Sequence, residues 1–352
     1  MSGIPSFEEL SADFVAEVIG APHGLTLRST PIGAGQVARC LRLELFDGEE
    51  LVASAIAKGP SDDEVSRSTA AAQRLYLRET SFYQQLAPEI STPTPTCYFV
   101  ERNEHDEFLL ILEDLTPTAS IDQFGGLSVA QAQRGLSALA GLHAPTRNDL
   151  ALHQADWLGG TATALAPLYQ AVLPALFTTF LERYDEQLDD DVRAIVSTLG
   201  QRIADFSGYQ SPYACVVHGD FRTDNLLFDG QGGVVPLCVV DWQTVSVSSP
   251  LLDVAYFITT SLDDEACAAN EHDLLRYYLD EMDRLGAPLE EEQARREFAR
   301  YTLQPVVMLV SAAVIVERTE RGDRMFLEMI RRAVVACQRW RAFEELDRHV
   351  VA

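Results

Sequence analysis

Val216-Val217-His218-Gly219-Asp220-Phe221-Arg222-Thr223-Asp224-Asn225-Leu226-Leu227-Phe228 consists of two apolar runs joined by a polar loop. The first run delivers His-Gly-Asp, and Asn225 follows Asp220 by five residues. A further apolar run, Pro236-Leu237-Cys238-Val239-Val240, ends in Asp241-Trp242-Gln243. Short apolar runs bounded by polar turns read as strands, so two carboxylates and one amide stand at the ends of β segments. Such oxygen ligands suit Mg²⁺, which takes a few protein oxygens and keeps its waters and substrate phosphates. One carboxylate can instead take a proton from an attacking hydroxyl. The plainer reading, two aspartates that merely end strands, does not explain why both motifs occur together and in order.

Upstream of this island the chain is β-rich. Ser11 caps a short helix over Ala12–Ile19, closed by Gly20. A strand-like run covers Leu25–Pro31, and Leu41, Leu43 and Leu45 alternate with Arg42 and Glu44. Asp47-Gly48 is a hairpin turn signal before a third strand, Leu51–Lys58. The run Asp63–Leu86 lacks Gly and Pro and predicts one long helix. Cys97–Glu101 and Phe108–Leu112 predict a second hairpin, followed by a crossing segment, Glu113-Asp114-Leu115-Thr116-Pro117.

Beyond residue 118 the pattern is helical. Helices are expected in Ser128–His143, with a Ser128/Gln131 capping pair, and in Thr161–Tyr184, Val192–Phe206, Asp273–Leu285, Glu290–Glu317 and Arg324–Arg348. The class is α+β. The expected division is a β-rich lobe over 1–112, a hinge over 113–117 and a larger helical lobe over 118–352, with ligand in the crevice between lobes.

Composition mostly excludes. The 352 residues carry a formal net charge of −26. Phosphate contact needs clustered positive charge, so nucleic acid and anionic membrane surfaces are poor partners. Met1–Glu9 has neither a basic nor an apolar leader segment, and Pro305–Val316 is shorter than the ~20 residues that span a bilayer. The six cysteines form no CxxC pair and read as reduced core thiols, which points to the cytoplasm. Among 27 basic residues only Lys58 is a lysine.

The motifs resemble those of the aminoglycoside phosphotransferase and choline kinase-like family, which has a bilobal protein-kinase-like fold. His218-Gly219-Asp220 with Asn225 resembles its catalytic loop, and Asp241-Trp242-Gln243 its metal-binding segment. Ser249-Pro250-Leu251-Leu252-Asp253-Val254-Ala255-Tyr256-Phe257 resembles the helix whose aspartate braces that loop. Leu139-Ala140-Gly141-Leu142-His143 resembles a helix ending before the substrate region. Leu112-Glu113-Asp114-Leu115 is similar to a hinge that contacts adenine through its backbone, which implicates Glu113 and Leu115.

The resemblance implies ATP- and Mg²⁺-dependent transfer of a phosphoryl group to a small-molecule hydroxyl. It implies Asp220 as the base, Asn225 and Asp241 as Mg²⁺ ligands, Lys58 on the α- and β-phosphates and Glu79 as its helix partner. His218 reads as a structural brace rather than a proton shuttle. Arg222 either neutralises phosphate or pairs with a carboxylate.

Gly33-Ala34-Gly35-Gln36-Val37-Ala38 has the spacing of a dinucleotide fingerprint, but that needs a helix directly after the glycines. The alternation that follows is a strand, so a nucleotide-covering loop over Gly33 and Gly35 fits better. Arginine at every other basic position argues that Lys58 is needed as a compact ammonium.

Eleven acids and only two arginines lie between Asp263 and Glu292. They suit either a cationic acceptor, such as an aminoglycoside or choline, or a solvated helix face, and their spread over several turns favours the latter. A nucleotide-binding pseudokinase is the rival from a different class, disfavoured because no catalytic position is degraded. A protein acceptor is disfavoured by the short stretch from Asp241 to Asp253.

Overall fold

The computed structural model describes residues 4–33, 37–119, 121, 124–159, 162–316 and 318–348. Chain contacts divide it into two compact units. The first comprises Met1–Ala119 and Leu227–Thr244, the second Ser120–Leu226 and Val245–Ala352.

The first unit is built on an antiparallel sheet of order β1-β2-β3-β5-β4. Its strands are β1 (Thr26–Pro31), β2 (Ala38–Asp47), β3 (Glu50–Pro60), β4 (Cys97–Arg102) and β5 (Phe108–Glu113). Side chains alternate across a strand. Leu41, Leu43, Leu45, Ala55, Ala57, Leu109 and Ile111 therefore share one face, where they meet Val15 and Ala16 of α1 (Ala12–Ile19). As its sequence predicts, α1 is capped by Ser11, whose Oγ accepts the Phe14 N–H at 3.1 Å, and ends at the left-handed Gly20. The even-numbered positions Cys40, Arg42, Ile56, Lys58 and Leu112 take the opposite face, where they line a cavity. A one-residue slip would turn Lys58 into the apolar core, so the leucine and alanine pattern also fixes where the lysine points.

The single helix expected over Asp63–Leu86 is broken. It forms α2 (Glu64–Ala72), α3 (Leu75–Ser81) and a π-turn over Phe82–Leu86. Arg74 at the break has φ 57°. No Gly or Pro marks the site. Ser66, Ser68 and Thr69 weaken α2, and tertiary anchors impose the break: the Tyr76 hydroxyl donates to the Val37 carbonyl and accepts the Ser61 N–H at 3.3 Å. Residues 227–244 return to this unit through β7 (Leu226–Asp229) paired with β8 (Val235–Val239). The Gln231 N–H holds them to the Leu115 carbonyl at 2.7 Å.

The second unit is mostly helical. Its β6 (Cys215–Val217) and β9 (Ser246–Ser248) pair antiparallel. Helix α4 (Val129–Thr146) carries the Ser128/Gln131 capping box. Gly135 of α4 lies against Phe257, and an added Cβ there would sit 2.5 Å from that ring. The helix Pro250–Ser261 is buried along its whole length.

Several expected helices divide or shift. Val192–Phe206 becomes Asp190–Gln201 and Ile203–Ser207, and Arg324–Arg348 becomes Glu320–Arg339 and Ala342–Asp347. Asp273–Leu285 begins earlier, at Asp264, because Asp263 caps it by accepting the Ala266 N–H. Residues 291–315 are long and apolar enough to cross a membrane by length and composition alone. They nevertheless split into Glu291–Tyr301 and Gln304–Ile315 and are mostly buried.

Candidate active site

The two units carry separate clusters of polar side chains. In the first unit, Lys58 lies mid-sheet, opposite Cys40 of β2 and Leu110 of β5. Its ammonium donates to Glu79 Oε1 at 2.7 Å and to Asp241 Oδ1 at 2.8 Å. Glu79, on α3, is only 1% exposed. Burial alone would push the Lys58 pKa down, but the Asp241 and Glu79 carboxylates outweigh it and hold the value above the ordinary 10.5. Burial pushes the Glu79 carboxyl up from 4.5, against the pull of Lys58. Lys58 is thus a fixed cation shared by two carboxylates.

Asp241 follows β8 with φ 66°, in the left-handed region. An aspartate tolerates that region better than most residues. The next residue, Trp242, is fully buried, and its indole N–H donates to the Val239 carbonyl at 3.1 Å. Gln243 donates to Asp241 Oδ2 at 3.2 Å.

The cavity beside this triad measures about 380 Å³, a volume on the scale of small-molecule sites. Lys58, Glu79 and Asp241 contribute to its lining, with Ile32, Val37, Ile56, Leu112, Leu115 and Val240 as apolar walls. Glu113 and Leu115 also line it. The Glu113 N–H is engaged by the Thr96 carbonyl and the Leu115 carbonyl by Gln231. The Leu115 N–H has no hydrogen-bond partner among the described residues, which leaves it open to a ligand. Gly33 has φ 70°, a conformation that favours glycine, and Gly35 lies outside the described residues. The chain re-enters a strand at Ala38, so no helix follows the glycines.

In the second unit, β6 leads into His218-Gly219-Asp220. Gly219 has φ 85°, which a side chain would strain. The fully buried Asp253 accepts the His218 N–H at 2.6 Å and the Gly219 N–H at 2.9 Å. His143 Nε2 lies 3.3 Å from the same carboxylate, and His143 Nδ1 lies 2.8 Å from the Tyr278 hydroxyl. His218 Nδ1 accepts the Asp220 N–H at 3.3 Å, a contact within the loop.

Three side chains hold the Asp220 carboxylate. Tyr256 donates to Oδ1 at 3.0 Å, Asn225 Nδ2 donates to Oδ2 at 3.1 Å, and Arg222 Nε lies 3.3 Å away. Asn225 Nδ2 also donates to the Asp220 carbonyl at 2.8 Å. Arg222 pairs with Asp224 as well. Burial opposes the Arg222 charge, but the Asp220 carboxylate outweighs it and raises the guanidinium pKa. Burial, with Asp220 adding to it, pushes the Tyr256 phenol well above its ordinary 10.0, so it stays a donor.

The two expected cation ligands therefore fall in different units, Asn225 in the second and Asp241 in the first. Their chemistry fits Mg²⁺. The Asn225 amide turns its nitrogen to Asp220 and has no described partner at its Oδ1, and Asp241 presents a carboxylate to the cavity. No group of three or more His, Cys, Asp or Glu with metal-holding geometry occurs among the described residues.

Residues 37–290 match the ecdysteroid kinase-like family. The chain belongs to that family. Kinase-like solved structures share the fold. An aminoglycoside 2′-phosphotransferase in complex with GDP superimposes with a TM-score of 0.54 at 13% identity, over 88% of this chain and 92% of the other. An ethanolamine kinase from Plasmodium vivax gives 0.53 at 12%, over 89% and 82%. An aminoglycoside phosphotransferase bound to GDP and kanamycin gives 0.53 at 12%, over 94% and 99%. At these identities the likeness is one of fold, and it bears out the kinase-like α+β architecture expected from the motifs.

Among curated sequences, mouse acyl-CoA dehydrogenase family member 10 is 33% identical over 96 residues. The match takes in 26% of this chain and spans about 8% of that relative's length.

The motif reading of this ecdysteroid kinase-like chain named Lys58, Glu79, Asp220, Asn225 and Asp241. It passed over three residues that the structure adds: Tyr256 on Asp220, and Arg42 with Asp114 in the cavity wall. Tyr256 carried a signal, since it lies three residues after Asp253 in the helix next to the loop. Arg42 carried none, since alternation with Leu41 and Leu43 reads it as a residue facing away from the core.

Proposed function

We propose that the chain is an ATP- and Mg²⁺-dependent phosphotransferase that moves the γ-phosphate to a hydroxyl of a small molecule. The observation that carries this reading is the buried Lys58 ammonium held by both Glu79 and Asp241 at the wall of a ligand-sized cavity. Phosphoryl transfer needs little covalent help from a protein, so positioning and charge neutralisation suffice.

In this reading Lys58 takes the α- and β-phosphates and Glu79 keeps it in place. The Leu115 N–H meets the base, and Gly33 belongs to the segment assigned to the phosphates. Asn225 and Asp241 would hold Mg²⁺, which when bound neutralises charge on the phosphate oxygens. Asp220 accepts the proton of the acceptor hydroxyl as its oxygen attacks. Arg222 pairs with that carboxylate, and its guanidinium is the group in the loop that can offset phosphate charge. Transfer further requires that the nucleotide held by the first unit and the hydroxyl at Asp220 meet.

The acceptor class is an alcohol-bearing small molecule, of the aminoglycoside, choline or other alcohol type. The acidic run 263–292 adds little to that choice. Part of it is structural, since Glu271 is buried and paired with Arg339. A reducing cytoplasm that supplies ATP suits the six free thiols.

Calorimetry with Mg-ATP, followed by product-resolved turnover on a panel of hydroxyl acceptors, tests the proposal. Asp220→Ala is expected to keep nucleotide binding and lower turnover by about 10²-fold or more. Absence of Mg-ATP binding, together with turnover unaffected by Asp220→Ala, would overturn it. Binding without turnover on any acceptor would favour a nucleotide-binding pseudokinase.

A further inference from the structure

Arg42 and Asp114 form an ion pair that no motif requires. Arg42 lies on β2, opposite Ile56 of β3, and its side chain lines the same cavity as Lys58. Asp114 is the first residue after β5. Its Oδ1 accepts both the Thr116 N–H at 3.0 Å and the Thr116 hydroxyl at 2.8 Å. That turn aims the other oxygen, Oδ2, at Arg42 Nε, 3.0 Å away. The carboxylate is 3% exposed and the arginine side chain 31%. The anion is thus sealed behind the cation, and the cation's outer edge remains open.

A guanidinium carries five N–H donors in a planar fork. Only the Nε edge meets Asp114. Nη1 and Nη2 have no protein partner among the described residues. Four donors on a tethered, planar cation are therefore available at the cavity wall.

Their position along the sheet tells which part of a ligand they face. Arg42 pairs with Ile56, two residues along β3 from Lys58. At about 3.4 Å per residue this is roughly 7 Å from the phosphate anchor. Asp114 adjoins Glu113, which pairs with Ala55, farther still from Lys58. An arginine there is offset along the sheet from Lys58, and its partner Asp114 directly precedes Leu115, whose N–H is open.

We infer that Arg42, held by Asp114, recognises the nucleoside part of the bound nucleotide by donating hydrogen bonds to acceptor atoms of the ribose or the purine ring. The inference rests on the nucleotide reading of the cavity given above. Asp114 is a positioning residue: its charge holds the guanidinium at the cavity wall, and it does not itself touch the ligand. Arg42 then sets which nucleosides fit, while Lys58 holds the phosphates that all of them share.

The test is calorimetric. Mg-ATP and four analogues, 2′-deoxy-, 3′-deoxy-, 3-deaza- and 7-deaza-ATP, are titrated into wild type, Arg42→Ala, Arg42→Lys and Asp114→Asn, each first checked for an unaltered melting profile. Arg42→Ala is expected to weaken Mg-ATP about tenfold or more, as loss of charge-assisted hydrogen bonds does. One analogue, weaker than ATP in wild type, should match ATP in Arg42→Ala, and its missing atom identifies the contact. Arg42→Lys should restore only part of the affinity, because an ammonium cannot reproduce the fork. Asp114→Asn should weaken ATP less than Arg42→Ala does.

If Arg42→Ala changes nothing, or weakens ATP and all four analogues by one common factor, the inference is wrong although the nucleotide reading stands. If wild type binds no Mg-ATP, the nucleotide reading itself has failed.

Discussion

Trp242 lies flat on Phe82, with ring centroids 3.9 Å apart and planes 8° from parallel. Phe82 begins the π-turn that continues α3, and Trp242 follows Asp241 directly. The stack therefore clamps the segment bearing Asp241 to the helix bearing Glu79, and Lys58 is held between their carboxylates. Trp242→Ala is expected to destabilise the fold by about 3–5 kcal/mol, the usual cost of emptying a buried aromatic site. Trp242→Phe should cost less. Urea titration measures both, and equal, small effects would show that the stack is not a clamp.

Lys58 should react selectively. With its pKa raised by Asp241 and Glu79, it is protonated and a poor nucleophile near neutral pH. A general amine reagent is expected to modify the N-terminal amine and leave Lys58 untouched. An ATP-directed acyl phosphate, which brings its carbonyl to the phosphate anchor, should label Lys58, and excess Mg-ATP should prevent this. Peptide mass mapping reads the result. Labelling that excess Mg-ATP does not reduce would count against the role given to Lys58.

Tyr256 supplies one of the hydrogen bonds on Asp220. Tyr256→Phe removes the hydroxyl and keeps the ring. A hydrogen bond to a charged group is worth about 1.5–3 kcal/mol, so kcat is expected to fall by about one to two orders of magnitude with the KM for nucleotide unchanged. Steady-state kinetics on any accepted alcohol settles it. A rise in nucleotide KM with normal kcat would place Tyr256 elsewhere in the cycle.

Asp253 satisfies two buried backbone N–H groups at the start of the loop. Asp253→Ala leaves both without that acceptor, at about 1–3 kcal/mol each. The expected outcome is a lower urea midpoint together with faster amide exchange at His218 and Gly219. Unchanged exchange at those two amides would mean the loop is held by other contacts.

Acid should loosen the second unit through the helix Glu320–Arg339. Burial pushes the Asp323 carboxyl up, but Arg318 and Tyr184 outweigh it and hold it below its ordinary 3.8. Glu328 is likewise held below 4.5, by Arg331 and Arg332 against the effect of burial. A depressed folded pKa gives stability that is complete above the unfolded value and lost as pH falls through the folded one. The thermal midpoint should therefore stay level down to about pH 5 and drop below about pH 4. Asp323→Asn should remove part of that slope, and parallel curves for variant and wild type would rule the contribution out.

The candidate site residues stand out in the sequence because chemistry constrains them locally. His218, Asp220, Asn225 and Asp241 stand at fixed offsets beside apolar runs, and Lys58 stands out as the sole lysine. The β1–β3 meander was legible because its leucines alternate and Asp47-Gly48 turns it. The breaks at Arg74 and Arg341 were not, because no Gly or Pro marks them and tertiary packing imposes them, whereas Gly200 and Pro305 stand beside the breaks at Arg202 and Thr302 as local signals. Contacts across long sequence separations, such as Trp242 on Phe82 or Gln231 on Leu115, leave no local pattern to read.

The solitary lysine also makes the molecule its own unfolding gauge. A lysine-specific endoprotease has one possible cut, after Lys58, yielding residues 1–58 and 59–352. That peptide bond lies inside a strand paired on both sides, so the folded chain cannot present it in the extended, accessible form a protease needs. Cleavage then tracks the population in which β3 has come out of the sheet. One band becoming two on a gel would report that opening, and any ligand that settles beside Lys58 would slow the clock.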